Sequence, residues 1–445
     1  EQYSSAAAHF SRFTLTAPEF STCGPWQDIA DDQKTQCAQQ SIERFARLAY
    51  RRPLATEDAN RLSAFHTSNV STWGVDNGTI LTVQGILQSP HFLFLVEYGS
   101  NDSVDSSLGA NTQALSSWDM ASRLSFFFWD SMPDQALFEA AANNALTTRE
   151  QIEAQALRMV QDPKARGAVI AFHRQWLEID EVYNNRADLT TYAPRYGKVA
   201  NDVLGYAGLE AAEEIWSGTL IGMRRAMDYE ADLFIEKTIF EGGANLASLL
   251  QDHHGYVSYI TVGFGEDSWQ ANTAEIYGVT SDDYLAGESI IYQMADGNLP
   301  YGITLVPATL PNSQRAGVLT LGAVLAGRAH PVHPSPVGRG IFILERIACE
   351  HIGQPPDAAA DATPPDTPHA ESTNRERLEA ATAAPGCAVC HDRINPAGFA
   401  FEHYDSLGGF RFRDNGQVVD ASGTVPLEHD SPIQFTRAVE LADAL

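Results

Sequence analysis

The stretch "TQCAQQSIERFARLAYRR", Thr35–Arg52, decides how the fold is read. Its apolar residues Ile42, Phe45, Leu48 and Ala49 recur at the spacing of one helix face, and Pro53 stops the pattern. The same signature spreads outward. Residues 74–97 read as one helix, or as two with a break near Pro90. "SSWDMASRLSFFFWD", Ser116–Asp130, opens on Ser116 or Ser117 as N-cap, and Pro133 ends it. Residues 148–162 start with Thr148 and an acidic first turn at Glu150, and 164–178 and 198–240 continue in the same style. The exception is "GYVSYITVGFG", Gly255–Gly265, β-branched and aromatic between glycines, which reads as a short strand or a buried loop. The fold class is mainly α.

At 445 residues the chain is too long for one ordinary core and predicts two or three domains. A hydrophobic share of 44% excludes global disorder. Twenty-nine basic against 57 acidic side chains leave a formal net charge of -28. That charge repels nucleic-acid backbones and anionic membranes, and it suits a soluble exported protein or one with a basic partner. No run approaches the eighteen or so apolar residues of a membrane helix. The start, "EQYSSAAAHF", lacks a basic segment followed by an apolar one, so the expectation is a mature form whose leader is already gone.

Of the five cysteines, Cys23 and Cys37 flank a polar turn-like stretch. In an oxidising compartment they can close a short disulfide loop, the other reading being two separate buried thiols. Cys349 is left over, either buried or paired outside the chain. The remaining two, Cys387 and Cys390, stand with His391 in "GCAVCHDRINPAGFAFEHYDSLGGFR", Gly386–Arg411.

Cys-x-x-Cys-His is the attachment signature of a c-type haem. Residues three apart share a helix face, so both thiols reach the two vinyl groups, and the next residue, His391, lies under the iron as proximal ligand. A thioredoxin-like pair would want a βαβ pattern, and a zinc site a second close pair of ligands; the sequence has neither. The pentad occurs once, so the expectation is one covalent haem c.

Around it, Pro396 marks a loop whose carbonyl takes the imidazole Nδ1–H. Phe399, Phe401, Tyr404 and Phe410 are candidate walls, and Arg411, Arg413 or Arg393 candidate partners of the propionates. For the distal side "AGRAHPVHPSPVGRG", Ala326–Gly340, offers His330 and His333 between prolines. His351, His369 and His403 are further imidazoles, and Met132 and Met294 are thioethers.

"GQPPDAAADATPPDTPHA", residues 353–370, has no apolar periodicity and reads as an extended linker. The organisation expected is an N-terminal helical domain over 1–110, a central helical domain over 111–310, a helical segment over 311–352, the linker, and a small cytochrome c-like haem segment over 371–445. "FTRAVELADAL" begins a helix that stops at Leu445, so a further C-terminal segment or a second chain is expected.

Several segments carry a resemblance: "FARLAYRRPL" (45–54), "ILQSPHFLFLVEYG" (86–99), "ASRLSFFFWDSMPD" (121–134), "FHRQWLEID" (172–180), "IYGV" (276–279), "RAGVLTLGAVLA" (315–326), "SPVGRGIFILERIACE" (335–350) and the pentad segment. In this order they resemble the planctomycete-type cytochrome family, large proteins catalogued as adjoining domains of unknown function. The resemblance implies one haem c on Cys387, Cys390 and His391, and export to the periplasm or cell surface. The His-Pro-rich stretch before "SPV" and the stop at Leu445 depart from the family pattern.

Three functions follow as expectations. The first is electron transfer through a six-coordinate haem, with the acidic surface steering a basic redox partner. The second is a haem-dependent peroxidase or oxygenase with an open distal iron and His330 or His333 as acid/base group. The third is a cell-surface assembly module with an accessory haem.

Overall fold

The structure is a computed structural model that describes residues 2–97, 99, 113–243, 245–262, 269–285, 289–292, 303–353 and 371–445. The linker beyond residue 353, His369 and Met294 lie outside the described residues. The chain is mostly helical and divides into two compact units, Glu1–Val169 and Ile170–Leu445.

In the first unit the Thr35–Arg52 pattern lies in the helix Asp31–Ala49, which buries Cys37, Ala38, Ile42, Ala46 and Ala49. A disulfide joins Cys23 to Cys37, with their Cα atoms 6.0 Å apart. The next helix runs from Thr56 to Leu87 and is interrupted at Gly74, whose φ of 78° is one that L side chains rarely adopt. A short turn of helix follows at Pro90–Leu93, with Ser89 as its cap. Ser116 caps Ser117–Trp129 in a reciprocal pair with Asp119, and Thr148 caps Arg149–Val160 with Gln151. Two separate apolar clusters result, one around Ile42 and Ile86, the other around Trp129, Leu137 and Met159.

The second unit is built on the long helix Leu209–Phe240, which buries Trp216, Leu220, Met223, Met227, Phe234 and Ile235 along one stripe. "GYVSYITVGFG" contributes to a strand. An antiparallel sheet orders β1 (His254–Val262), β2 (Trp269–Asn272), β3 (Ile290–Tyr292) and β4 (Ile303–Thr309) as β2-β1-β4-β3. Its central register sets Val257 opposite Val306.

The C-terminal residues 371–445 share the core of this unit. Ile394, Phe401, Tyr404, Leu407, Val425, Phe435 and Leu441 belong to the same apolar cluster as Met223, Leu325 and Phe342. Two devices hold the helices of this unit to its C-terminal residues. Arg339, in the helix Pro336–Phe342, is fully buried and directs its guanidinium at four carbonyls, those of Phe401, Tyr404, Leu325 and Asp405, at 2.8–2.9 Å. Burial pulls its pKa down to about 10. The same helix crosses Pro385–Gly398 at glycine. A Cβ at Gly340 would collide with the Ile394 carbonyl, and one at Gly398 with the Pro336 carbonyl. Only two bare backbones fit at that crossing.

Candidate functional site

The pentad begins the helix Pro385–Gly398, with Pro385 at the first helical position where its missing N–H costs nothing. Cys387 and Cys390 are free thiols, each partly exposed. Three residues apart, they face the same side of the helix. Both are within reach of solvent, and Val389, 76% exposed, marks another exposed side of the same turn.

His391, partly buried, meets the Asn395 side-chain oxygen with Nδ1 at 2.9 Å. Asn395 in turn donates from Nδ2 to Thr382 Oγ1 at 2.9 Å, and the Thr382 hydroxyl donates to the Leu378 carbonyl at 2.8 Å. This relay fixes the imidazole tautomer with Nδ1 as donor and leaves Nε2 as the lone-pair face.

The acceptor is therefore Asn395, where the sequence reading put Pro396. Pro396 lies inside the helix, and a Cβ on Gly423 would collide with its carbonyl, which is thus turned to the strand Gly423–Val425. Asn395 was findable: it stands four residues after His391, one helical turn on. Thr382 carried no such signal, because it reaches the site from the preceding helix, Asn374–Thr382.

The other expected residues have partners of their own. Phe399 is buried, with the Arg375 guanidinium 4.2 Å above its ring. Phe401 and Tyr404 are core residues. Arg411 is paired with Asp414 at 2.7 Å and with buried Glu402 at 3.3 Å. Burial raises the Glu402 carboxyl above its usual range, against the pull of Arg411 and Asn374. Arg393 pairs with Glu350 at 2.9 Å, and Glu350 also accepts from the Glu428 N–H at 2.6 Å. His403 stacks on Phe410 and meets the Arg411 carbonyl with Nδ1. His330 stands beside His333 on the surface, ring centroids 4.9 Å apart. Burial first, and then His333, lower its pKa. Among the described residues no hydrogen bond or ring contact joins His330 to His391.

Three family profiles match. Residues 37–97 match PSD5, a protein of unknown function (DUF1595). Residues 115–261 match PSD4, a protein of unknown function (DUF1592). Residues 315–414 match PSCyt3, a protein of unknown function (DUF1588), and this span includes Cys387, Cys390 and His391. The chain belongs to the planctomycete cytochrome c-like family. No curated protein matches, and no solved structure matches. The donor set fits the haem c this family's name points to: two free thiols on one helix face and an imidazole whose Nδ1 is already engaged. Among the described residues no helix is long and apolar enough to cross a membrane.

Proposed function

We propose that this protein is an exported mono-haem c-type cytochrome acting in electron transfer. The observation that carries the reading is the relay His391–Asn395–Thr382 beside two free thiols on one turn of helix. Cys387 and Cys390 would hold the group by thioether bonds, and His391 would offer Nε2 to its iron. A haem held there supplies one-electron exchange at its iron.

The chain's own residues do the rest. Asn395 takes the Nδ1–H, which holds the ring in one orientation, and the accepted hydrogen bond raises the basicity of Nε2. Thr382 holds Asn395 in place. The glycine crossing and the Arg339 clamp fix the helix itself, so the donor atom stands on a rigid mount. A formal charge of -28 supports a basic redox partner, attracted over a Debye length of roughly 10 Å at moderate salt.

The test is to produce the chain in cells that mature c-type cytochromes, then record denaturing-gel haem stain and reduced spectra with and without carbon monoxide. One covalent haem, low-spin and indifferent to carbon monoxide, is the expected result. Cys387→Ala/Cys390→Ala should lose the stain. A spectrum that shifts with carbon monoxide would replace electron transfer by the open-iron enzyme reading. A chain without haem under these conditions would end both.

A further inference from the structure

The proline-braced hairpin at Ala329–Pro334 has a geometry that the haem reading does not use. The His330 N–H donates to the His333 carbonyl at 2.9 Å, and Ala329 and Pro334 pair as an isolated antiparallel bridge. This closes "AHPVHP" into a tight turn in which two imidazoles come out on the same side, their centroids 4.9 Å apart and their planes at 65°. His333 Nδ1 lies 3.0 Å from the Pro334 carbonyl; with the proton on that nitrogen, Nε2 keeps a free lone pair.

The turn is also pinned from outside. The Asp188 N–H donates to the Pro331 carbonyl at 2.9 Å, the Tyr192 hydroxyl lies 3.1 Å from the Val332 carbonyl, and Asn374 Nδ2 donates to the Pro334 carbonyl at 3.4 Å. Three of the hairpin's carbonyls are thus held by other parts of the same unit, and Pro331 and Pro334 have fixed φ. The loop pays little ordering entropy when a ligand joins its two rings.

We infer that His330 and His333 form a surface bis-imidazole site for a divalent first-row transition ion, separate from the haem helix, with solvent in the remaining positions. Two imidazoles bound to one ion, with metal–nitrogen bonds of about 2.1 Å, hold their centroids roughly 4.6 Å apart at a right angle and roughly 5.3 Å apart at the tetrahedral angle. The observed 4.9 Å falls between them. Paired neutral imidazoles without carboxylate favour Cu²⁺ over Zn²⁺ and Ni²⁺, and exclude Mg²⁺ and Ca²⁺, which want oxygen donors. Among the described residues no third His, Cys, Asp or Glu completes a cluster, so the site is open rather than enclosed.

The experiment titrates the full chain with CuSO4 by calorimetry and records the Cu²⁺ electron paramagnetic resonance spectrum at one equivalent. The variants are His330→Phe and His333→Phe, which keep an aromatic ring in the contact and remove the nitrogen. The expected result is one site with nitrogen hyperfine structure from two imidazoles, with affinity falling at least tenfold in each variant and circular dichroism unchanged. The titrations are run on the Cys349→Ser/Cys387→Ala/Cys390→Ala chain, because free thiols would themselves take up or reduce Cu²⁺, and in this chain without haem anchors the two-nitrogen spectrum should still appear. That keeps failure of the haem reading distinct from failure of this one. Binding that survives both Phe substitutions, or a spectrum with one nitrogen donor, would overturn the inference and leave the two rings as an aromatic contact alone.

Discussion

Asn395→Ala isolates what holds the His391 ring. Asn395 is only 5% exposed, and its side chain joins His391 Nδ1 to Thr382 Oγ1, both at 2.9 Å. Each hydrogen bond contributes roughly 0.5–1.5 kcal/mol net, so loss of the pair costs about 2 kcal/mol. No larger penalty is added. Thr382 still donates to the Leu378 carbonyl, and His391, being partly exposed, can turn its Nδ1–H to water. The assay is native-state hydrogen exchange on the amides of the helix Pro385–Gly398. A loss of about 2 kcal/mol in opening free energy speeds their exchange roughly thirty-fold, while amides of the first unit keep their rates. Asn395→Asp, which retains an acceptor at the same reach, should recover the part due to His391. Exchange in Asn395→Ala within a factor of two of the parent would refute the relay as the element that fixes the ring.

Other expectations rest on separate features. Arg339→Lys keeps a charge but cannot serve four carbonyls; it should lower stability by about 3 kcal/mol or more in chemical denaturation, and a change under 1 kcal/mol would remove the clamp from the account. Gly340→Ala pushes one helix off the other at the crossing and should expose the pentad helix to limited proteolysis; an unchanged digestion pattern would show that the crossing has slack. Burial pushes the Glu230 carboxyl up to about 8 from an ordinary 4.5, with Tyr277 and Arg315 pulling the other way. The stability that its protonated form permits is complete below about pH 4.5 and falls by roughly 1.4 kcal/mol per pH unit up to about pH 8. Glu230→Gln should flatten that decline in melting temperature against pH, and a parallel curve would contradict it. Cys23→Ala/Cys37→Ala opens a loop whose ends are 14 residues apart and should cost about 3 kcal/mol in the first unit, read as an earlier melting transition there.

Much of the helix content was legible because helices announce themselves locally. The Ser116 and Thr148 caps, the run through Ile42 and the break before Pro90 all depend on neighbours within one or two turns. The interruption at Gly74 was not legible, since a single glycine inside a helical pattern is equally compatible with continuation. The strand character of residues 254–262 was half legible: composition allowed it, but pairing with β4 some fifty residues on decides it. The pentad was readable from spacing alone, and the structure adds the partner that His391 meets, Asn395. The fate of the arginines was not. Arg411 and Arg393 looked free for propionates because their carboxylates, Glu402 and Glu350, come to them only through the folded backbone. Pro396 was misassigned for a related reason, because a proline reads as a loop although this helix accommodates it.

The glycine crossing and the Arg339 clamp also decide what counts as a transferable part. Residues 371–445 look like a module that recombination could pass from one protein to another. Moved alone, they would carry the carbonyls of Phe401, Tyr404 and Asp405 without their cation, and a flat face at Gly398 shaped for a helix left behind. A chimera between relatives should therefore keep "SPVGRG" and "NPAG" from the same parent, and a junction placed between them should give mismatched, poorly soluble hybrids. The inheritable block is the pair of helices together.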